Sequence, residues 1–189
     1  MSARGEQRRL ESIRSNAIVT TPTGHGPVVR VGVGVLIVCK RPRPEPVFVD
    51  KHQTSKHLDK VMHRENCVLV GVRKNVLGAG CLSLPGGHLE MGESWQECAR
   101  REALEETALE LGEEMKFVSV SNDVFSTEKH YITICMRAHL IDENQEAVNL
   151  EPEKCKGWVW LSHAELMRWP PERLFLPLRS LLYEHKYTF

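Results

Sequence analysis

Apolar and polar residues alternate along this chain with two different periods. Residues 28–39 are rich in valine, with glycine at 32 and 34, and predict a first strand. Residues 67–73 predict a second and residues 81–84 a short third. Residues 117–125 and 130–140 predict two more, separated by a turn at Ser126-Thr127-Glu128, and residues 158–161 predict a short aromatic strand. The period changes at Trp95. From there to Leu111 no proline or glycine intervenes, and Ala, Leu, Glu, Gln and Arg dominate, which predicts a helix. Ser94 and Glu97 have the spacing of a capping box, and Ser162 with Glu165 repeats it at the start of a second helix that Pro170-Pro171 ends. Pro177 suits the first turn of a closing helix reaching about His185. Strands and helices interleaved in this irregular way give a mixed α/β domain.

The ends and one interior stretch depart from that pattern. Residues 1–26 read as a flexible N-terminal tail, and the turn chemistry at residues 21–27 marks the entry to a domain spanning 27–189. Arg4, Arg8, Arg9 and Arg14 would suit a mitochondrial leader, but Glu6 and Glu11 dilute them, so cytoplasmic residence is the expectation. Residues 40–66 form an insertion with three prolines followed by Lys51, His52, Lys56, His57, Lys60, His63 and Arg64. It reads as a hairpin with a solvated charge run, the alternatives being a basic lid over phosphates or a histidine metal site. A short strand at 47–49 would extend its base. The formal net charge of the 189 residues is zero, so no global field draws the protein to nucleic acid, and no apolar run is long enough to span a bilayer. The six cysteines are scattered without a Cys-x-x-Cys pair, which argues for reduced thiols instead of a zinc site or disulfide framework.

Charge on the first helix changes the picture. Glu102, Glu105 and Glu106 fall within an arc of roughly 100°. Trp95, Cys98 and Ala99 project into much the same arc earlier. Clustered carboxylates repel, and a divalent cation relieves that repulsion; an all-oxygen donor set suits Mg²⁺, with Mn²⁺ as the alternative. A solvated acidic face is the bland reading, but a Gly86-Gly87 turn precedes the helix and Arg101 adjoins Glu102. Upstream, Arg73 sits at the end of a strand, where a basic residue can pair with phosphate.

Residues 87–109 resemble the Nudix box, G-x5-E-x7-R-E-U-x-E-E-x-G-U, through Gly87, Glu93, Arg101, Glu102, Glu105, Glu106 and Leu109. Two positions depart. Ala103 stands where a larger aliphatic is usual, and Ala108 where the motif has glycine, so the helix is expected to run on through 108. The resemblance implies the Nudix α/β/α sandwich, a mixed sheet between helices. Leu84-Pro-Gly-Gly-His-Leu-Glu90, with Glu151-Pro-Glu-Lys-Cys155 and the tryptophans at 158 and 160, is similar to diphosphatases related to MutT. These cut (deoxy)nucleoside triphosphates, modified or oxidised ones included, to the monophosphate and pyrophosphate.

By this resemblance Glu102 and Glu106 hold the metal, with Glu105 and the Gly87 carbonyl as further ligands. Glu102 or Glu105 takes a proton from the attacking water, and Arg101 pairs with Glu93 in an orienting role. Arg73, Gly86 and Gly87 approach the phosphates, and Leu84, Thr133, Phe175 and Leu176 the base. Trp158 and Trp160 read as core residues, with pocket lining as the alternative. Other diphosphates (an isoprenoid diphosphate or nucleotide sugar) and a non-catalytic nucleotide-binding role remain alternatives, and relatives suggest a homodimer.

Overall fold

The computed structural model describes residues 28–44 and 62–189. The tail at 1–26, the strand at 47–49 and most of the basic run of the insertion lie outside the described residues. Among these, the elements are β1 (Val29–Pro44), β2 (Met62–Arg73), β3 (Leu82–Ser83), β4 (Gly86–His88), α1 (Trp95–Thr107), β5 (Leu111–Ser126), β6 (Lys129–Leu140), β7 (Cys155–Ser162), α2 (His163–Leu166) and α3 (Leu176–Arg179). A 3-10 turn, Pro171–Arg173, precedes α3, and a π-helical turn, Ser180–Glu184, extends it. The insertion is shorter than the sequence pattern suggests. Lys40 pairs with Asn66 and Pro44 with Met62, so both of its flanks continue the β1–β2 ladder.

The sheet runs β3-β2-β1-β6-β5, with β4 on β1 and β7 on β2. The β1–β6 pair is parallel and the others are antiparallel, so the sheet is mixed. Alternation in β1 divides the core in two. Val33, Val35, Ile37 and Cys39 pack with Cys98, Ala99 and Ala103 of α1, while Leu36 and Val38 pack with Leu166, Leu178 and Leu181 from the C-terminal helices. The α/β/α sandwich is therefore present.

One irregularity of the sheet makes room for a site. β1 and β2 pair as far as Val38 and Val68, then diverge. Along the next part of β1 its partner is β4, through Gly32–His88, Val33–Gly87 and Gly34–Gly86. Residues 86–88 thus sit in the sheet's split, alongside α1 from Cys98 to Glu106.

α1 is shorter than expected. Both halves of its capping box form, Glu97 N–H to Ser94 Oγ at 3.2 Å and Ser94 N–H to Glu97 Oε2 at 2.7 Å. The helix ends at Thr107, and Ala108 takes a left-handed cap with φ 58°, its N–H reaching Leu104 O. The expected continuation is wrong for a tertiary reason. Val148 N–H donates to Thr107 O, and Leu150 N–H and Trp158 Nε1 both donate to Glu106 O, so the 147–158 segment satisfies carbonyls that a longer helix would use. Strand β5 begins three residues beyond the cap.

Candidate active site

A cavity of about 500 Å³ opens where the sheet splits. Gly86, Gly87, Glu102 and Glu106 line its acidic end. Leu84, Ser119, Ser121, Phe125, Tyr131, Thr133 and Phe175 line the remainder.

Two carboxylates on one face of α1 dominate the acidic end. Glu102 and Glu106, four residues apart, stand one above the other. Burial pushes the Glu106 carboxyl up to about 7, and repulsion from Glu102 and Glu151 adds to it against the Gly86 N–H and Arg73. Glu102 is raised too, first by burial and opposed by Arg101. Glu105 is absent from the cavity wall. Its side chain is 57% exposed, and its contact is with Arg101 Nη1 at 3.3 Å. The arc expected to hold all three carboxylates is divided, because position 105 lies about 100° around the helix from position 106. At the start of α1, Cys98 and Ala99 are buried as expected, whereas Trp95 is largely exposed and packs its ring on Phe117.

The glycine loop fits closely against these carboxylates. Gly86 N–H donates to Glu106 Oε2 at 3.0 Å. A Cβ on Gly86, whose φ is 143°, would collide with Val33 O, and one on Gly87 would lie 2.2 Å from Glu102 Oε1. The Gly87 carbonyl does not face the acidic residues. Leu89 N–H bonds Val31 O and Val35 N–H bonds Pro85 O, so Gly87, paired with Val33 between them, turns its backbone groups to β1. Its oxygen lies beside Gly32. Gly86 is the loop residue whose backbone meets the carboxylates.

Arg101 holds the loop to the helix. It donates to both oxygens of Glu93, to Glu102 Oε1 at 2.7 Å and to His88 O at 3.0 Å. The Glu93 carboxyl is held down at about 2, chiefly by the hydrogen bond from Arg101. The expected Glu93–Arg101 pair is present, and the link to Glu102 is additional.

The far end is aromatic and hydroxylic. Arg73 lies over one side of the Phe175 ring, 4.1 Å from its centroid, and donates Nε to Leu77 O; Phe125 stacks on Phe175 at 5.1 Å. Leu84 and Thr133 line the cavity as the sequence suggests. Leu176 does not: it opens α3, and Phe175, Pro177 and Leu178 line the wall instead. Trp158 lines the cavity and also touches the core, whereas Trp160 packs on the core beneath Arg41.

Sequence reasoning left out several residues. Glu151 sits near enough to Glu102 and Glu106 to raise both carboxyls, and it pairs with Lys154 at 2.7 Å. Its signal is the Glu151-Pro-Glu-Lys-Cys155 stretch that shares the family resemblance. Ser119, Ser121, Phe125 and Tyr131 gave none beyond strand alternation. Among the described residues, no three or more His, Cys, Asp and Glu side chains are gathered closely enough to hold a metal ion between them. Cys39, Cys81, Cys98, Cys135 and Cys155 are outside any disulfide, and no helix among the described residues is long and apolar enough to cross a membrane.

Comparison with known proteins adds to this geometry. A family model described as NUDIX domain matches residues 60–181. An ADP-ribose pyrophosphatase of Methanocaldococcus jannaschii is 42% identical over 52 residues, a match spanning 28% of this chain and 31% of that protein. The chain thus covers under a third of that relative's length. Among solved structures, a MutT NUDIX hydrolase from Burkholderia pseudomallei has a TM-score of 0.59 at 23% identity, covering 82% of this chain and 96% of its own. The NUDIX domain of Shewanella oneidensis NrtR, complexed with ADP ribose, has a TM-score of 0.58 at 17% identity, covering 94% and 98%. At these identities the two structures speak to the fold.

Proposed function

Because this chain belongs to the NUDIX domain family, we propose that it is a Mg²⁺-dependent hydrolase of a nucleotide phosphoanhydride, with (deoxy)nucleoside triphosphates as substrates and the monophosphate and pyrophosphate as products. One observation carries the reading: a cavity joins two half-buried carboxylates to a wall of aromatic rings and hydroxyls. Phosphates need the first and a nucleoside the second.

The acidic end has the chemistry of a hard-cation site. Two carboxylates suffer burial and mutual repulsion there, with a third nearby, and every side-chain donor is oxygen. Mg²⁺ takes one or two carboxylates and fills its remaining positions with water and substrate phosphate, so an open arrangement suits it better than a cage. Glu102 and Glu106 would hold it, with Glu151 and the Gly86 carbonyl completing the donor set; this replaces the Gly87 carbonyl. When bound, the ion neutralises phosphate charge and lowers the pKa of a coordinated water.

The chain's own groups do the rest. Arg101 holds Glu102 by Oε1, which leaves Oε2 to take a proton from water. Burial raises the basicity of Glu102, and a base with a raised pKa accepts that proton more readily. Glu105 stands outside the cavity, so Glu102 is our choice for the acceptor. Arg101 is a positioning residue. Phosphoryl transfer needs chiefly placement and charge neutralisation, which this set provides.

ADP-ribose is the second reading, favoured by the names of the Methanocaldococcus relative and the ligand of the Shewanella neighbour. The test is a panel of triphosphates, ADP-ribose and an isoprenoid diphosphate with Mg²⁺, scoring pyrophosphate, inorganic phosphate and AMP separately. Pyrophosphate from triphosphates supports the first reading. AMP from ADP-ribose alone moves the activity to the second. Turnover that survives Glu102→Gln in a folded protein sinks the mechanism.

A further inference from the structure

Beside the cavity wall formed by β5 and β6 lies a buried carboxylate that the hydrolytic chemistry does not use. Asp123 is only 2% exposed, and it accepts the hydroxyl proton of Ser121 at 2.7 Å. Ser121 is itself buried, lines the cavity and pairs across the strands with Thr133.

Hydroxyl chemistry gives this pair a directional meaning. A serine hydroxyl has one proton and two lone pairs, and a carboxylate offers lone pairs alone. With its proton committed to Asp123, Ser121 can present only acceptor capacity to the cavity. Burying a carboxylate is costly unless hydrogen bonds compensate, so the arrangement is not a neutral filler of the wall. Thr133 is different. Its hydroxyl has no hydrogen-bond partner among the described residues, so it can turn to donate or accept. Nearby, Phe125 meets Tyr131 edge-on, with centroids 5.8 Å apart. A fixed acceptor, an adjustable hydroxyl and aromatic surroundings suit the edge of a nitrogen heterocycle that bears an N–H donor.

We propose that Ser121, oriented by Asp123, selects the base of the substrate by accepting a hydrogen bond from an N–H donor on the base edge. The inference rests on the nucleotide reading above and adds to it the contact that holds the edge of the base. Ser121 is the contact residue and Asp123 a positioning residue.

The probe pair is adenosine triphosphate and purine riboside triphosphate, which differ by the 6-amino group. The expected preference for the amino compound is roughly tenfold, the size of one hydrogen bond, and lies in KM and in Kd more than in kcat. Ser121→Ala abolishes that ratio, and Ser121→Thr, which keeps a hydroxyl, preserves it. Asp123→Ala releases the hydroxyl to rotate and narrows the ratio with the hydroxyl intact. A simple loss of stability would weaken both nucleotides alike and leave their ratio unchanged. Equal affinity of the wild-type protein for the two compounds overturns the proposal, as does a ratio that survives Ser121→Ala. If neither compound is hydrolysed, the functional reading fails, and the binding ratio from calorimetry still decides the role of Ser121. If neither binds, both ideas fall.

Discussion

Arg101 grips Glu93 with a fork, Nε to Oε1 at 2.9 Å and Nη2 to Oε2 at 3.0 Å, across the turn between the glycine loop and α1. The same guanidinium reaches Glu102 and His88 O, so it closes a loop–helix joint around one carboxylate of the acidic end. Lysine keeps the charge but has no planar fork. Arg101→Lys is therefore expected to lower kcat by about 10- to 100-fold, within the range for lost positioning, with little change in nucleotide affinity. Glu93→Gln should behave alike, and the double variant should lose less than the product of the two. Steady-state kinetics on the three proteins checks this; independent, multiplicative losses would mean that the fork does not act as a unit.

Gly87 is required by space and not by its backbone angle. A Cβ there would lie 2.2 Å from Glu102 Oε1 and 2.4 Å from Glu102 Cδ. The obstacle is the end of a side chain, so the fold can give way while the carboxylate cannot keep its place. Gly87→Ala should retain most of its thermal stability and lose about two orders of magnitude in kcat, the scale of a roughly 1 Å misplacement. Paired melting curves and turnover measurements separate this from general unfolding. A large fall in Tm with normal specific activity in the folded fraction would contradict it.

The motif and the first cap were legible because their information is local. Ser94–Glu97 and Glu93–Arg101 are set by spacing along the chain, and both form. Alternation in β1 also reads correctly, since each face meets its own helical layer. What was hidden depends on distant partners. Periodicity can put Ser121 and Asp123 on one face of β5, but it cannot say that this face meets a cavity. Spacing alone does not separate Leu176 from its two C-terminal neighbours, which occupy the wall. Propensity understates the extent of β5 because Gly112, Glu113 and Glu114 are poor strand formers, and pairing of Leu111 with Leu140 overrides it. An arc in projection groups Glu105 with its neighbours because it ignores which part of the helix a sheet covers.

Ala108 offers a stabilising change. It holds φ 58° and ψ 17° at the end of α1, a conformation that costs a non-glycine residue about 1–2 kcal/mol. Glycine removes that strain but gains freedom in the unfolded chain, worth about 0.4–1 kcal/mol in the opposite direction. The net expectation for Ala108→Gly is a gain of about 0.5–1 kcal/mol and a rise in Tm of roughly 2 °C. Calorimetry at fixed pH checks it. An unchanged or lower Tm would show that the loop's contacts with the last carbonyls already absorb the strain.

Glu106 should make metal-free stability fall as pH rises. Its carboxyl titrates near 7 in the folded protein against an ordinary value of 4.5. The folded state therefore binds the proton more tightly than the unfolded chain. Below about pH 4.5 both states hold it and no penalty exists; as pH climbs toward 7 the unfolded state releases it first, and folding loses up to about 3 kcal/mol. Glu102 is shifted the same way and adds to the trend. Glu93 acts in the opposite direction, but only between about 4.5 and 2, so it leaves the window from about pH 5 to 7 to the other two. Melting curves in chelator should show Tm declining across that window, and Glu106→Gln should flatten the decline. If Mg²⁺ is held as proposed, it would compete for the deprotonated carboxylates, so its stabilising effect should be larger at pH 8 than at pH 6. A Mg²⁺ increment independent of pH would place the ion away from Glu106.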